Sequence, residues 1–236
     1  MSPNAILVFE KQPSIHRSHG AEPFAALPWD DLDALFTAFV ADLLGNAAKV
    51  AKADVLFYRN PASAVDEYLY QLEDRITIRE SNGPSFSSQV CHAAQDAFAG
   101  GYQRIVTVLD NQPTLSPRLF SRLFEQLKYE HECFVVGPTA EGKCYLIGMK
   151  ADHSEIFSPT GADPLVSPHE LLRRLCQIPG ELFLSPLRYL LDTGYNLERL
   201  FQELEAMEAR GTSFPLRTYE MFKKFDRKYR TRYAAR

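Results

Sequence analysis

A run of β-branched and aliphatic residues, Ile105-Val-Thr-Val-Leu109, stops abruptly at Asp110-Asn-Gln-Pro113, and no other stretch of the chain limits its fold so sharply. Unbroken apolarity over so short a run predicts a strand buried on both faces, which requires helices on each side of a largely parallel sheet. Ser116-Pro117 then supplies a capping hydroxyl and a first-turn proline. Leucines at 119, 123 and 127 follow on one helical stripe. Open α/β sheets bind ligands in the crevice beyond the carboxyl ends of their strands, so the turn from Asp110 to Ser116 is the candidate site. On pattern alone, an ordinary strand-to-helix loop capped by Ser116 is an equal alternative.

The flanking chain repeats this alternation. Residues 5–9 predict a central strand, 53–58 and 75–79 two more, and 28–44 a helix with Leu32, Leu35, Phe36, Phe39, Val40 and Leu43 on one face. Helices are expected over 62–72, 87–99, 167–175 with Ser167 as its cap, and 196–210. Residues 133–137 and 143–149 are strands joined by a tight turn, which forces them antiparallel, and 181–185 reads as an edge strand. The sheet is therefore mixed. Residues 10–28 have no period and form a long loop whose Lys11, His16, Arg17 and His19 could face an anion at the end of the first strand. Without Gly-x-Gly-x-x-Gly or Walker spacing, solvated side chains are the favoured reading there.

Composition narrows the setting. At 236 residues the chain can bury one large core, and no run of about 18 apolar residues predicts a membrane span. The first residues lack the basic start and long apolar core of a secretory signal, so a cytoplasmic location is expected. Cys91, Cys133, Cys144 and Cys176 share no metal-ligand spacing and are expected to be buried thiols. Charge is uneven: residues 212–236 carry eight Lys or Arg against Glu220 and Asp226, while the preceding 211 residues hold 18 basic and 28 acidic groups. An acidic body makes a nucleic-acid partner unlikely. In the basic tail, Phe222, Phe225, Tyr229 and Tyr233 form one helical stripe that needs cover. Docking on the chain's own acidic body or on a second copy as a homodimer is favoured over an anionic membrane or RNA.

Three stretches, 105–119, the hairpin Val135-Val-Gly-Pro-Thr-Ala-Glu-Gly-Lys-Cys-Tyr-Leu-Ile-Gly148, and Leu191-Asp-Thr-Gly-Tyr-Asn-Leu-Glu-Arg-Leu200, occur in a familiar order. They resemble the bacterial nucleotide-diphospho-sugar transferase-like proteins that include glycosyltransferases assigned to arsenosugar biosynthesis, over most of residues 5–205. The resemblance implies a three-layer, Rossmann-like GT-A fold with helices on both faces of a mixed, mostly parallel sheet. It also implies a single domain over 1–211, with 212–236 as a helical extension.

The chemical motifs depart from that family. Its T-D-C-P-D-L-[ST]-P type segment is Asp110-Asn111-Gln112-Pro113-Thr114-Leu115-Ser116-Pro117 here, so only Asp110, one position early, offers a carboxylate. Its G-P-[AS]-x-D-G-G-Y-Y-L-[IL]-G hairpin carries Glu141 for Asp and Lys143 for the second Gly. Its basic K-T-R-L segment is Ala21-Glu-Pro-Phe24, and its D-L-G-E-R-M segment is Ser85-Phe-Ser-Ser-Gln-Val90. Sugar transfer from a nucleotide diphosphate needs the leaving diphosphate neutralised by a divalent metal, by Lys and Arg, or by both.

Two readings follow. In an enzyme, Asp110 and Glu141 would ligate Mg²⁺ or Mn²⁺ or orient the donor ribose, with Asn111 lining the nucleotide. Lys11, Arg17 and Lys143 would meet the diphosphate, His153, Ser167 and His169 would flank the acceptor, and Asp192 would be the base. A helix cap is the favoured alternative for Asp192-Thr193, and a surface position for His153 and His169. In the other reading the chain is a catalytically degenerate relative kept as a binding or assembly module.

Overall fold

The computed structural model describes residues 2–10, 24, 27–59, 75–167, 169–211 and 214–233, the last four of these without their side chains. The helix expected over 62–72 lies outside them, as do Lys11, His16, Arg17 and His19. The chain forms two compact units. One comprises Met1–Glu10, Leu44–Asp110 and Ser116–Tyr189; the other comprises Lys11–Leu43, Asn111–Leu115 and Leu190–Arg236.

The first unit holds a seven-stranded sheet. Its strands are β1 (Asn4–Phe9), β2 (Ala53–Arg59), β3 (Ile76–Glu80), β4 (Arg104–Val108), β5 (Cys133–Pro138), β6 (Cys144–Met149) and β7 (Glu181–Leu184), in the order β3-β2-β1-β4-β6-β5-β7. Pairing is parallel except where β6 lies antiparallel between β4 and β5, in register Val108↔Leu146 and Val136↔Ile147. This is the mixed, mostly parallel sheet that the tight 138–143 turn demanded. β1 is buried along its whole length and β4 at every position after Arg104, as two-sided cover requires.

Helix α2 (Phe86–Ala99) buries Val90, Cys91, Ala93, Ala94 and Ala97 in one core with Leu7, Ile105, Val136 and Ile147. Helix α3 (Pro117–Gln126) begins as expected, with the Ser116 hydroxyl accepting the Leu119 N–H at 3.2 Å. Its buried stripe differs: Phe120, Leu123, Phe124 and Leu127 are inside, and Leu119 is only partly covered. Leu-Phe-x-x-Leu-Phe offers two overlapping stripes, and the larger aromatic surface gains more from burial. Leu127 closes on Gly148, where an added Cβ would stand 3.0 Å from it. A further helix, α4, covers only Glu170–Leu175 and takes no cap from Ser167, because His169 before it is left-handed at φ 64°. Arg174 instead ties α4 to the chain ahead of it, donating to the carbonyls of Ile156, Ser158, Thr160 and Ala162.

The second unit is helical. It takes in α1 (Trp29–Ala47) up to Leu43, α5 (Gly194–Ala209) and α6 (Leu216–Tyr233). Phe222 of α6 lies at the middle of an aromatic cluster, with ring centroids 5.1 Å from Phe24, 5.4 Å from Phe201 and 6.1 Å from Phe39. Phe225 and Tyr229 are buried on the same face. Phe222 is thus covered within its own unit, and the tail also meets an acidic partner there: Asp31 accepts from Lys228 at 2.8 Å and from the Tyr229 hydroxyl. Burial pushes the Asp31 carboxyl up, but these hydrogen bonds outweigh it and hold the group below its usual value. Asp42 is buried and accepts the N–H groups of Thr218 at 2.7 Å and Arg217 at 3.4 Å, capping α6 from another helix. There burial dominates, and the Asp42 carboxyl is pushed up.

Of the four cysteines, Cys91, Cys133 and Cys144 are buried as expected, whereas Cys176 is exposed. It sits at the C-cap of the six-residue α4, one position past the last buried leucine, Leu175.

Candidate functional site

Because β1, β2 and β4 run parallel, their carboxyl ends share one edge of the sheet, and antiparallel β6 begins at that same edge. Asp110 leaves β4 there, buried to 7% exposure, with its N–H and that of Leu109 both given to the carbonyl of Tyr145, at 3.2 and 2.8 Å. The register thus sets Asp110 beside the base of the β5–β6 turn. That turn carries Glu141 at its exposed tip and half-buried Lys143 at its foot. It is closed by Thr139 N–H to the Lys143 carbonyl at 2.8 Å and Lys143 N–H to the Thr139 hydroxyl at 3.2 Å.

Tyr145 of β6, with residues that follow β7, builds the wall behind it. The Tyr145 hydroxyl meets Ser185 at 2.7 Å and the Pro186 carbonyl at 3.1 Å, and the Arg188 guanidinium lies over its ring, 5.6 Å from the centroid. Gly137 is obligatory here, since a Cβ would stand 2.6 Å from the Tyr145 ring. Arg188 also binds the turn through its backbone, donating to Pro138 and accepting from Ala140 at 2.9 Å. At the ends of β1 and β2, Arg59 and Glu10 form an ion pair at 3.9 Å. Sequence reasoning missed Arg59, Arg188, Tyr145 and Ser185, because only the strand register brings them to this edge. Cys144 is no nucleophile: burial pushes its thiol up to about 12.

The other expected residues are placed as follows. Asn111 is buried in the helical unit, as is Gln112. Asp192 is half-buried just ahead of α5, whose cap is Thr193, accepting the Asn196 N–H at 3.1 Å. His153 and His169 do not form one acceptor pocket, since β5 separates them. His153 lies between Glu132 at 3.7 Å and Glu155 at 3.6 Å, where β5 starts, while the His169 N–H reaches the Gly142 carbonyl beyond its end. Ser167 donates its N–H to the Asp163 carbonyl.

The segments that carry charge in the resembling family do structural work in this chain. Ser85 caps α2, its hydroxyl 3.0 Å from that of Ser88, and Gln89 donates to the Gly83 carbonyl. Ser87 bonds Asp163, and Phe24 belongs to the aromatic cluster. Among the described residues no three His, Cys, Asp or Glu side chains group to hold a metal ion, and no helix is long and apolar enough to cross a membrane.

No curated protein matches the sequence. Among solved structures, the chain is similar to a protein of Desulfovibrio desulfuricans G20, itself provisionally assigned as a nucleotide-diphospho-sugar transferase. The TM-score is 0.74 at 22% identity, over 98% of each chain. A cytidylyltransferase of Leptospira borgpetersenii serovar Hardjo-bovis matches at TM-score 0.56 and 11% identity over 95% of each. CMP:2-keto-3-deoxy-manno-octonic acid synthetase complexed with CTP matches at 0.52 and 12%, over 87% of this chain and 99% of the other. At such identities the likeness is one of fold, the Rossmann-like arrangement of nucleotide-diphospho-sugar transferases. Residues 43–161, half of the chain, match the family described as an uncharacterized protein conserved in bacteria (DUF2064), and the chain belongs to that family.

Proposed function

We propose that the protein binds a nucleotide sugar at the carboxyl edge of its sheet, beside Asp110, and transfers the sugar from the nucleotide diphosphate. The observation that carries this reading is the position of Asp110, a buried acidic residue whose backbone, with that of Leu109, is pinned by N–H bonds to the Tyr145 carbonyl at the foot of a turn bearing Glu141 and Lys143. Ligands of open α/β sheets bind at that edge. In this reading Asp110 orients the ribose or holds Mg²⁺ or Mn²⁺, and Lys143 neutralises the diphosphate. Oxygen ligands such as Asp110 and Glu141 suit a hard cation held mainly through substrate phosphates, which needs only one or two protein carboxylates. Such a cation would stabilise the charge on the departing diphosphate. Residues 1–211 would act as the transferase-like domain, with 212–236 as its helical extension.

A second reading keeps the binding and drops the transfer. It is favoured by the capping work of Ser85, Ser88 and Gln89, where the family carries ionisable groups. For an assembly role, the buried Phe222, Phe225 and Tyr229 of α6 are not available as a docking surface. Among the described side chains of α6, Leu216, Arg217 and Lys224 are exposed and open to a second copy. Titration calorimetry with UDP-glucose and CTP, with and without Mn²⁺, followed by a donor-hydrolysis assay, separates the cases. Binding with turnover supports the transferase, binding alone supports the second reading, and no heat with either ligand rejects both.

A further inference from the structure

The β5–β6 turn is already closed by its own hydrogen bonds, yet a residue 27 positions later is built against it. The His169 N–H donates to the Gly142 carbonyl at 2.8 Å. Its imidazole fills the space where any side chain on residue 142 would stand: an added Cβ would lie 2.4 Å from Cε1 and 2.7 Å from Nε2. Gly142 itself is at φ 75°, so the turn is shaped to receive the ring. His169 holds this place in a left-handed backbone at φ 64°, one of two non-glycine residues with positive φ among those described. A positive φ is uncommon outside glycine, though histidine tolerates it better than most residues, and here it sets the exposed imidazole against Gly142. On the other side of the turn, the Arg188 carbonyl holds the Ala140 N–H.

The geometry points to His169 as a positioning residue of the candidate site: it fixes the tilt of the 139–143 turn, and so where Glu141 and Lys143 meet the ligand. The inference rests on the nucleotide-sugar reading above, but its first readout does not. Residues that orient a binding group act by removing its freedom before the ligand arrives, so their loss appears both as local opening and as weaker binding.

The test compares wild type with His169→Gly, which keeps the left-handed backbone and removes the ring, and His169→Asn, which tolerates the same backbone and keeps a planar polar group. Amide hydrogen exchange is followed at Gly142 and Lys143, with Leu146 and Ile147 of β6 as internal controls. Binding of UDP-glucose with Mg²⁺ is measured on the same samples. His169→Gly is expected to raise exchange at Gly142 and Lys143 at least tenfold, leave the controls unchanged and weaken UDP-glucose at least tenfold, with His169→Asn recovering part of both. Unchanged exchange at Gly142 and Lys143 overturns the inference. So does faster exchange with undiminished affinity. If wild type binds no UDP-glucose, the nucleotide-sugar reading falls, while the exchange comparison still decides whether His169 holds the turn.

Discussion

Truncating Phe222 to alanine removes a fully buried ring that touches aromatic side chains from three other parts of the helical unit, Phe24, Phe39 and Phe201. Phe→Ala in a packed core costs about 3–5 kcal/mol. Each well-placed aromatic pair adds roughly 0.5–1.5 kcal/mol beyond its area, though neighbouring terms do not sum. Stacked Phe201, at 26° between planes, and edge-on Phe24, at 72°, put this site in the upper half of the range, about 4–5 kcal/mol. For a chain of this length, about 2–4 °C of melting temperature is lost per kcal/mol, so a fall of about 8–20 °C is expected by calorimetry. Solution mass by light scattering should stay that of wild type, because the ring is covered within its own unit. A loss under about 3 °C would show that the cluster does not hold α6 in place. A changed mass would show that the face serves a second copy instead.

Asp42 provides a test of the cap supplied across helices. Asp42→Ala orphans the N–H groups of Thr218 and Arg217 and should cost about 1–3 kcal/mol in chemical denaturation, whereas Asp42→Asn keeps an acceptor and should cost less. Because the folded carboxyl is raised above its ordinary 3.8, the unfolded chain ionises first as pH rises, and stability drains away through the window from 3.8 up to the folded value. The gap between Asp42→Asn and wild type should therefore shift in favour of Asn as pH rises through that window; an opposite trend would reverse the sign assigned to this group. For thiols, a stoichiometric disulfide reagent should label Cys176 at once and Cys144 only on unfolding, since burial holds the latter up to about 12. Rapid labelling of two or more cysteines in the folded protein would contradict the packing around Cys91, Cys133 and Cys144.

The strands were legible because continuous apolarity, tight turns and breaker residues act locally, and the antiparallel place of β6 followed from chain length alone. The Ser116 cap and the burial of Phe222, Phe225 and Tyr229 on α6 were legible for the same reason. Other features depended on which neighbour arrives. Phe120 rather than Leu119 faces inward on α3, and α4 starts at Glu170 because His169 is turned toward Gly142. His153 and His169, for which the sequence favoured surface positions, flank opposite ends of β5, His169 exposed and His153 partly covered. At the site, Asp110 could be picked out because it ends a strand. Tyr145, Ser185 and Arg188 could not, as their roles come from the β4–β6 register and the return of the chain after β7.

The most direct measurement is a crystal structure of the protein grown with a nucleotide sugar and Mn²⁺. Density for the nucleotide at the carboxyl edge, with Asp110 touching the ribose or the cation and Lys143 near the phosphates, is the expected result. A nucleotide seated away from Asp110 and from the 139–143 turn would contradict the assignment of this edge as the site.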